Sequence, residues 1–379
     1  MTELLPSQRH LFDIPDDVTY VNCAYLSPLM RKVADAGRAG LARKEHPWTI
    51  KRQHFHDEVE KVRAAYARLI GARADDVALV PSSSYGTATA AANLRAEKGQ
   101  SIVLIEGEHG SNVRIWHVMA RDLGLKVKTV PMPAGGEWTG GILGAIDAST
   151  AIVAVPPLHW TDGSLIDLMA VGARARALGA AFVVDATQWI GAAPLDVAEL
   201  EPDFLVCSAY KWLLCPYTLG FLYVAPRHQK GRPLEQHSFN RVGAEREGAT
   251  DYPEEFLPGA RRYDMGERSN WINLPMAIEA IEQLFAWKPA RTAATIRQLT
   301  EAIVEGGRRL GFDTPPQGNR APHMVGLKKK GMDPGRVVER LAAERIYISG
   351  RGASLRISPH LYNSPADVAR LIDGLARHG

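Results

Sequence analysis

Residues 181–225, AFVVDATQWIGAAPLDVAELEPDFLVCSAYKWLLCPYTLGFLYVA, carry three short apolar runs separated by polar and turn-forming residues. Phe182–Val184, Phe204–Cys207 and Gly220–Val224 read as strands. The first runs into Asp185 and Gln188, the second into Ser208, Tyr210 and Lys211. In open α/β sheets ligands sit beyond the carboxyl ends of the strands, so these polar residues point to a site at one sheet edge. Lys211 is flanked by Tyr210 and Trp212 and followed by Leu213 and Leu214. Such an apolar setting disfavours the ammonium form, lowers its pKa and makes the amine nucleophilic.

A lysine and a carboxylate in this order suit a pyridoxal 5'-phosphate (PLP) site. Lys211 is the expected Schiff-base partner of the cofactor aldehyde. Asp185 is the expected partner of the pyridinium nitrogen, keeping the ring an electron acceptor. Ser208, three residues before Lys211, is close enough to help hold the phosphate. Either residue alone fits a plainer reading, a surface lysine or an aspartate in a turn. Their joint order and spacing favour the cofactor.

Through D-x-x-Q at 185–188 and S-x-x-K at 208–211, the chain resembles the class V aminotransferase family of fold-type I PLP enzymes along nearly its whole length. That family holds cysteine desulfurases, selenocysteine lyases, kynureninases, isopenicillin N epimerase-like proteins and true aminotransferases. The resemblance implies an α/β fold: a large domain with a mainly parallel seven-stranded sheet between helices, and a small C-terminal α/β domain. The expected division is 1–30 as a segment joining the small domain and the active site, 31–285 as the large domain and 286–379 as the small one. It also implies a homodimer with active sites at the subunit interface. Desulfurases usually carry His before the lysine; Tyr210 stands there, as in kynureninases and epimerase-like members.

Bulk properties exclude several other classes. With 45 Lys+Arg against 42 Asp+Glu the net charge is only +3, too slight for a nucleic-acid binder. Hydrophobic residues make up 46% of 379, enough for a large core in two or three domains. The Lys328-Lys329-Lys330 run before Gly331 reads as an exposed turn. Cys23, Cys207 and Cys215 fit neither a disulfide framework nor a metal spacing. The amino-terminal residues lack an apolar signal core and no apolar run reaches membrane-spanning length, so a reducing cytoplasm is expected.

Residues 20–29, YVNCAYLSPL, read as a short strand and a polar loop. The resemblance places Asn22 and Ala24 near the substrate carboxylate; Asn22 as a plain turn residue is the alternative. A helix follows with Phe55, Val59, Val62, Tyr66 and Leu69 on one stripe, stopped by Gly71. The strand Val77–Val80 enters PSSSYGTATAAANL (81–94), where hydroxyls open an Ala-rich helix whose free N–H groups and dipole suit an anion. By resemblance this is the phosphate loop, with Ser83, Ser84 and Tyr85 as its donors; an ordinary serine N-cap is the alternative. Strand Ser101–Ile105 ends in EGEHGSN, which puts His109 at the family's ring-stacking position. After strand Ala151–Val155, His159, Trp160 or Thr161 approaches the cofactor, with His159 and Trp160 preferred. A helix over 165–178 leads on to the Asp185 strand. Alternating strands and helices from 77 to 225 predict a mainly parallel sheet.

Residues 226–270 lose this periodicity. Their end, RRYDMGERSN, matches a family segment that crosses the dimer interface to the other subunit's phosphate site, with Ser269 and Asn270 as donors and Glu267 where desulfurases have Thr. A helix N-cap is the alternative. Further helices are expected over about 273–287, near 291–310, at 334–344 and from Pro365, with strands at Ile346–Ser349 and Leu355–Ser358. Leu355 and Ile357 alternate to the face opposite Arg356. Family members use an arginine at that position to bind the substrate α-carboxylate as a bidentate fork.

The chemistry these residues imply is removal of the Cα proton of an α-amino acid, with Lys211 as base and Gln188 at the cofactor's phenolic oxygen. The loop 349–354, SGRGAS, lacks the cysteine that persulfide-forming desulfurases need before this arginine. Cβ-lyase or kynureninase-like cleavage ranks first, class V aminotransfer second and epimerisation third. A non-catalytic PLP-fold regulator, usually preceded by a DNA-binding helix-turn-helix, is the alternative from another class.

Overall fold

The apolar runs of the central stretch lie side by side in one sheet. A computed structural model describes residues 3–133, 135–243, 246 and 252–379. A two-residue strand β1 (Thr19–Tyr20) comes first, followed by β2 (Val77–Val80), β3 (Ser101–Ile105), β4 (Lys126–Val130), β5 (Thr150–Val155), β6 (Ala181–Asp185), β7 (Phe204–Ser208) and β8 (Gly220–Val224). Among the described residues, strands β2 to β8 form a seven-stranded sheet in the order β2-β8-β7-β6-β5-β3-β4. The pairs β3–β4, β3–β5, β5–β6 and β6–β7 are parallel. Strand β8 runs antiparallel to both β7 and β2. The sheet is therefore mainly parallel, as predicted.

Its strands are continuous apolar runs because both faces are covered. Alternate residues feed two cores: Val153, Val155, Phe182, Val184, Leu205 and Cys207 pack on one side, and Ile152, Ala154, Val183, Phe204 and Val206 on the other. Each Val, Leu, Ile or Phe among them contributes about 1.5–3 kcal/mol on burial. Strand β4, KVKTV, is the exception. It sits at an edge, largely exposed, with lysines that deter pairing with another sheet.

The remaining strands are β9 (Val325–Leu327), β10 (Ile346–Tyr347), β11 (Ser349–Arg351) and β12 (Ser354–Ile357). They form a sheet β11-β12-β9, while β10 pairs with β1. The single strand expected over Ile346–Ser349 is thus two, because its halves find different partners. Helices Pro289–Arg309, Pro334–Ala343 and Pro365–His378 contribute to a third core with Leu327, Leu355 and Ile357. Val21 joins this core from the amino-terminal segment.

Residues 226–270 are mostly irregular where described, with short 3-10 turns at Pro226–His228, Ser238–Asn240 and Gly259–Tyr263. The helix expected over 165–178 is shorter, Leu168–Ala177, because Asp167 caps it by accepting from the Ala170 N–H. Lys328 is not a free turn charge: it pairs with the buried Asp162 carboxylate at 2.9 Å. Among the described residues no helix is long and apolar enough to cross a membrane.

Candidate active site

The carboxyl ends of β3, β5, β6 and β7 converge on a cavity of about 480 Å³. It is lined by Ser83, Ser84, Glu108, His109, Trp160, Asp185, Gln188, Ser208, Tyr210 and Lys211, with Thr187 and Tyr217 among its further walls. A second cavity of about 420 Å³ shares His109, Trp160, Tyr210, Lys211 and Tyr217 with it and continues to Ala24, Arg351 and Arg356. One side chain, Lys211, therefore stands where a cofactor-sized space meets an arginine-lined one.

Lys211 is 8% exposed, and its Nζ lies 5.4 Å from the centre of the Tyr210 ring. Burial is the main force bringing its pKa down to about 8, and the Arg356 guanidinium adds to it, while Asp185 opposes both. Past the lysine the chain turns tightly back into β8, with Leu214 and Thr218 held at left-handed φ values of 55° and 61°. Such strain in side-chain-bearing residues persists only where the surroundings enforce it.

Asp185 ends β6 as a buried carboxylate whose Oδ1 accepts from the Thr187 N–H at 3.0 Å. Thr187 Oγ1 in turn accepts from the Ser208 N–H, locking the ends of β6 and β7 together. Ser208 Oγ accepts from the Ser83 N–H at 3.1 Å, joining the lysine strand to the first turn of helix Ser83–Asn93. Ser82 caps that helix through Tyr85 N, and the Ser82 and Ser84 hydroxyls lie 2.9 Å apart. This turn brings Ser82, Ser83 and Ser84 to the cavity at the positive end of the helix, a setting that suits a phosphate.

His109 meets Trp160 edge to face, with centroids 5.4 Å apart, and its Nδ1 accepts from the Ser111 N–H. Burial first, then the positive Lys211, lower its pKa, so the ring is neutral at pH 7. Glu108, which the sequence reading passed over, also lines the cavity. Burial, and next the charge on Asp185, raise its pKa to about 8.

Gln188 Nε2 donates to Ala24 O at 3.1 Å and its Oε1 accepts from Trp212 Nε1 at 2.9 Å. The amino-terminal loop is pinned here a second time, as Ser27 Oγ donates to Tyr210 O. Ala24 accordingly lines the mouth of the site. Asn22 lies one layer behind: it is buried, lines neither cavity, and its Oδ1 accepts from Ser349 Oγ at 2.7 Å.

Two further expectations need correction. His159 is fully buried and faces away: its ring stacks on Trp138, Nδ1 meets Thr161 Oγ1 at 2.7 Å and Nε2 meets Glu106 O. It holds the loop that presents Trp160, and Thr161 is engaged in the same support. Tyr85 does not line the cavity; it packs on the opposite core, and nearby Glu235 adds to burial in raising its pKa. Within this chain Ser269 Oγ donates to Phe55 O, and Asn270 Oδ1 accepts from the N–H groups of Ile272 and Asn273 in the turn that enters helix Asn273–Trp287. Glu267 takes a left-handed φ of 55° just before them.

Arg356 is 1% exposed and donates from Nη1 to Trp160 O at 3.0 Å. Gly326 permits this approach, since a Cβ there would lie 2.5 Å from Asp162 Cβ in the same loop. Leu355 and Ile357 turn away into the small core, as the strand period requires. Arg351, unnoticed in the sequence, stands beside Arg356 in the same cavity.

The donor set suits PLP: an amine of lowered pKa, a buried carboxylate and a serine-lined helix start around one space. The family model for aminotransferase class-V matches residues 42–371. An uncharacterized aminotransferase of Bacillus subtilis is 25% identical, covering 84% of each chain. The isopenicillin N epimerase of Streptomyces clavuligerus is 28% identical over 83% of each. Of solved structures, an apo cysteine desulfurase from Thermococcus onnurineus has a TM-score of 0.83 at 21% identity, covering 100% of this chain and 99% of that one. A C-DES mutant with glycine covalently linked to the PLP cofactor reaches 0.88 at 19% identity, covering 98% and 100%. The match across most of the chain, on a sheet whose strand ends gather these groups, establishes that the protein belongs to the aminotransferase class-V family of PLP-dependent enzymes.

Proposed function

We propose that the enzyme binds an α-amino acid with its carboxylate on Arg356, removes the Cα proton with Lys211 and releases a group from Cβ, a lyase- or hydrolase-type cleavage. In this reading Lys211 and Asp185 hold the cofactor from either side of the ring, and His109 covers its face. Ser83, Ser84 and Ser208 serve the phosphate, and Gln188 the phenolic oxygen. When bound, PLP supplies the electron sink for charge left at Cα.

The observation that carries the reading is the placement of Lys211, buried where the Asp185 cavity meets the one that holds Arg356; burial and that guanidinium bring its pKa down to about 8. The free Nζ takes the proton and Arg356 fixes the carboxylate, so that the Cα proton faces the amine. The Tyr210 phenol, pushed up to about 12 chiefly by burial, keeps its proton at neutral pH and is available to protonate the group leaving Cβ. A persulfide route finds no support in the three thiols. Cys23, Cys207 and Cys215 are all buried, with pKa values raised by burial.

Aminotransfer is the second reading, favoured by the Bacillus subtilis relative, because the same first contacts serve it. Epimerisation, suggested by the Streptomyces clavuligerus relative, is third. A panel of amino acids assayed separately for ammonia with keto-acid release, for amino transfer to a keto acid and for inversion at Cα separates the three. Without an added keto-acid acceptor, elimination from Cβ is expected to release ammonia with a keto acid, and hydrolytic Cβ–Cγ cleavage to leave L-alanine. Strict dependence on that acceptor would replace the lyase with a transaminase.

The same reading includes a homodimer, in which Ser269 and Asn270 serve the other subunit's phosphate site, a division at about residues 30 and 285, and a cytoplasmic setting suited to free thiols. Sedimentation of the purified protein at a single-chain mass of 41.5 kDa would remove the dimer.

A further inference from the structure

Strand pairing puts a second cation into the mouth of the site. Ser349 pairs with Arg356 and Arg351 with Ser354 across β11 and β12. Directly paired residues share a face and alternate residues along a strand return to it, so Arg351 and Arg356 project to the same side as diagonal neighbours. The two-residue turn Gly352-Ala353 sets this register. Gly352 supplies a φ of +54° at the first turn position, where a glycine is favoured in a hairpin of this kind.

Both guanidiniums lie against the same indole: Arg351 Cζ is 5.6 Å and Arg356 Cζ 5.8 Å from the Trp160 centroid. Arg351 Cζ is also 5.6 Å from the Tyr25 ring. Each arginine gives one Nη1 to a backbone carbonyl, Gly350 O or Trp160 O. The Nε of each is buried without a partner, and neither pairs with a carboxylate among the described residues. The acidic residues of the connected cavities, Asp185 and Glu108, stand at the other end. Two neighbouring cations in a largely aromatic cavity repel one another and lose hydration, a cost that a bound anion relieves. One α-carboxylate satisfies one fork.

We propose that Arg351 receives a second anionic group, carried on the side chain of the substrate, so that the enzyme selects acidic α-amino acids over their neutral isosteres. This rests on the reading of the site as one for α-amino acids and names the class it takes. Arg356 holds the α-carboxylate, Lys211 faces Cα, and the side-chain carboxylate lies along Trp160 into the planar fork of Arg351, where bidentate pairing is available.

The test compares L-aspartate with L-asparagine, and L-glutamate with L-glutamine, on PLP-loaded enzyme. Binding is read from the change in the visible cofactor band, which does not require the ligand to carry a group that can leave Cβ. Acid over amide by about 10²-fold is expected for at least one pair, the effect of one charge-assisted hydrogen-bonded pair. In Arg351→Gln that ratio collapses towards one; in Arg351→Lys, which keeps the charge without the fork, it falls part of the way. Thermal melts of both variants exclude misfolding as the cause. Equal binding of acid and amide by the wild type would overturn the role of Arg351 and leave the amino-acid reading standing. So would parallel weakening of both by Arg351→Gln, which would mean that the two arginines share the α-carboxylate. If no amino acid of any kind perturbs the band, both readings fall.

Discussion

The two ends of the site are built on opposite terms. At the inner end, Asp185, Thr187, Ser208 and Ser83 bind one another across the ends of two strands of the large sheet and the start of helix Ser83–Asn93, so their geometry is set before any ligand arrives. At the outer end, Arg351 and Arg356 stand on a hairpin of the small sheet against carbonyl oxygens, a shared indole and, for Arg351, the Tyr25 ring. The inner end is preorganised for a resident group, whereas the outer end is left electrostatically incomplete for one that comes and goes. Lys211 belongs to both, and its pKa records both: burial and Arg356 push it down, while Asp185 holds it up.

The contrast can be broken most severely at the inner end. Lys211→Ala is expected to lower turnover by at least about 10⁴-fold, since it removes both covalent attachment and the base. It should also abolish the borohydride-sensitive absorbance near about 420 nm expected of a lysine-bound aldehyde cofactor. Substantial remaining activity would refute the assignment. At the outer end a smaller loss is predicted. Arg356→Lys keeps the charge but loses the fork, worth about 1.5–3 kcal/mol for a charge-assisted pair. Steady-state kinetics should show KM for α-amino acids raised about 10- to 100-fold with the cofactor band intact; an unchanged KM and kcat would reject the role.

A finer experiment asks whether the two ends communicate. Removing the Arg356 charge with Arg356→Gln relieves the repulsion on the Lys211 ammonium. The amine pKa then rises from about 8 toward, without reaching, its ordinary 10.5. The free base predominates only above the pKa, so PLP capture by the apoenzyme, followed by absorbance, should shift to higher pH in the variant. A coincident pH profile would show that the charge does not reach the amine. The smallest effect is expected at Glu108. With a pKa of about 8 it is mostly protonated at pH 7, and a neutral amide is a close substitute. Activity of Glu108→Gln at pH 7 should stay within about threefold of wild type. A loss of 100-fold or more would mean that its carboxylate, or its proton, is used.

What was legible in the sequence was local. Apolar runs ending in Asp185 and Lys211 marked strand ends, and strand ends in a parallel sheet mark a site. The apolar residues around Lys211 also announced its lowered pKa. His159 was misjudged because a histidine beside an active-site loop reads the same whether it faces the cavity or, as here, stacks on Trp138 from a distant helix. Asn22 failed for a related reason, since its neighbour Ser349 lies more than three hundred residues away. Tyr85 follows the phosphate-loop serines, but helix geometry turns it about 100° per residue, onto the other core.

By itself, then, the chain order of hydrophobic runs determined a mainly parallel sheet and put a lysine and a carboxylate at its working edge. Hydrophobic burial and strand period act over a few residues and are written in consecutive letters. Only the tertiary structure decided which loop side chains turn inward, and that the hairpin carrying Arg351 and Arg356 docks on Trp160 at the mouth of the site. Those outcomes depend on contacts between segments far apart in the chain, which no local pattern encodes.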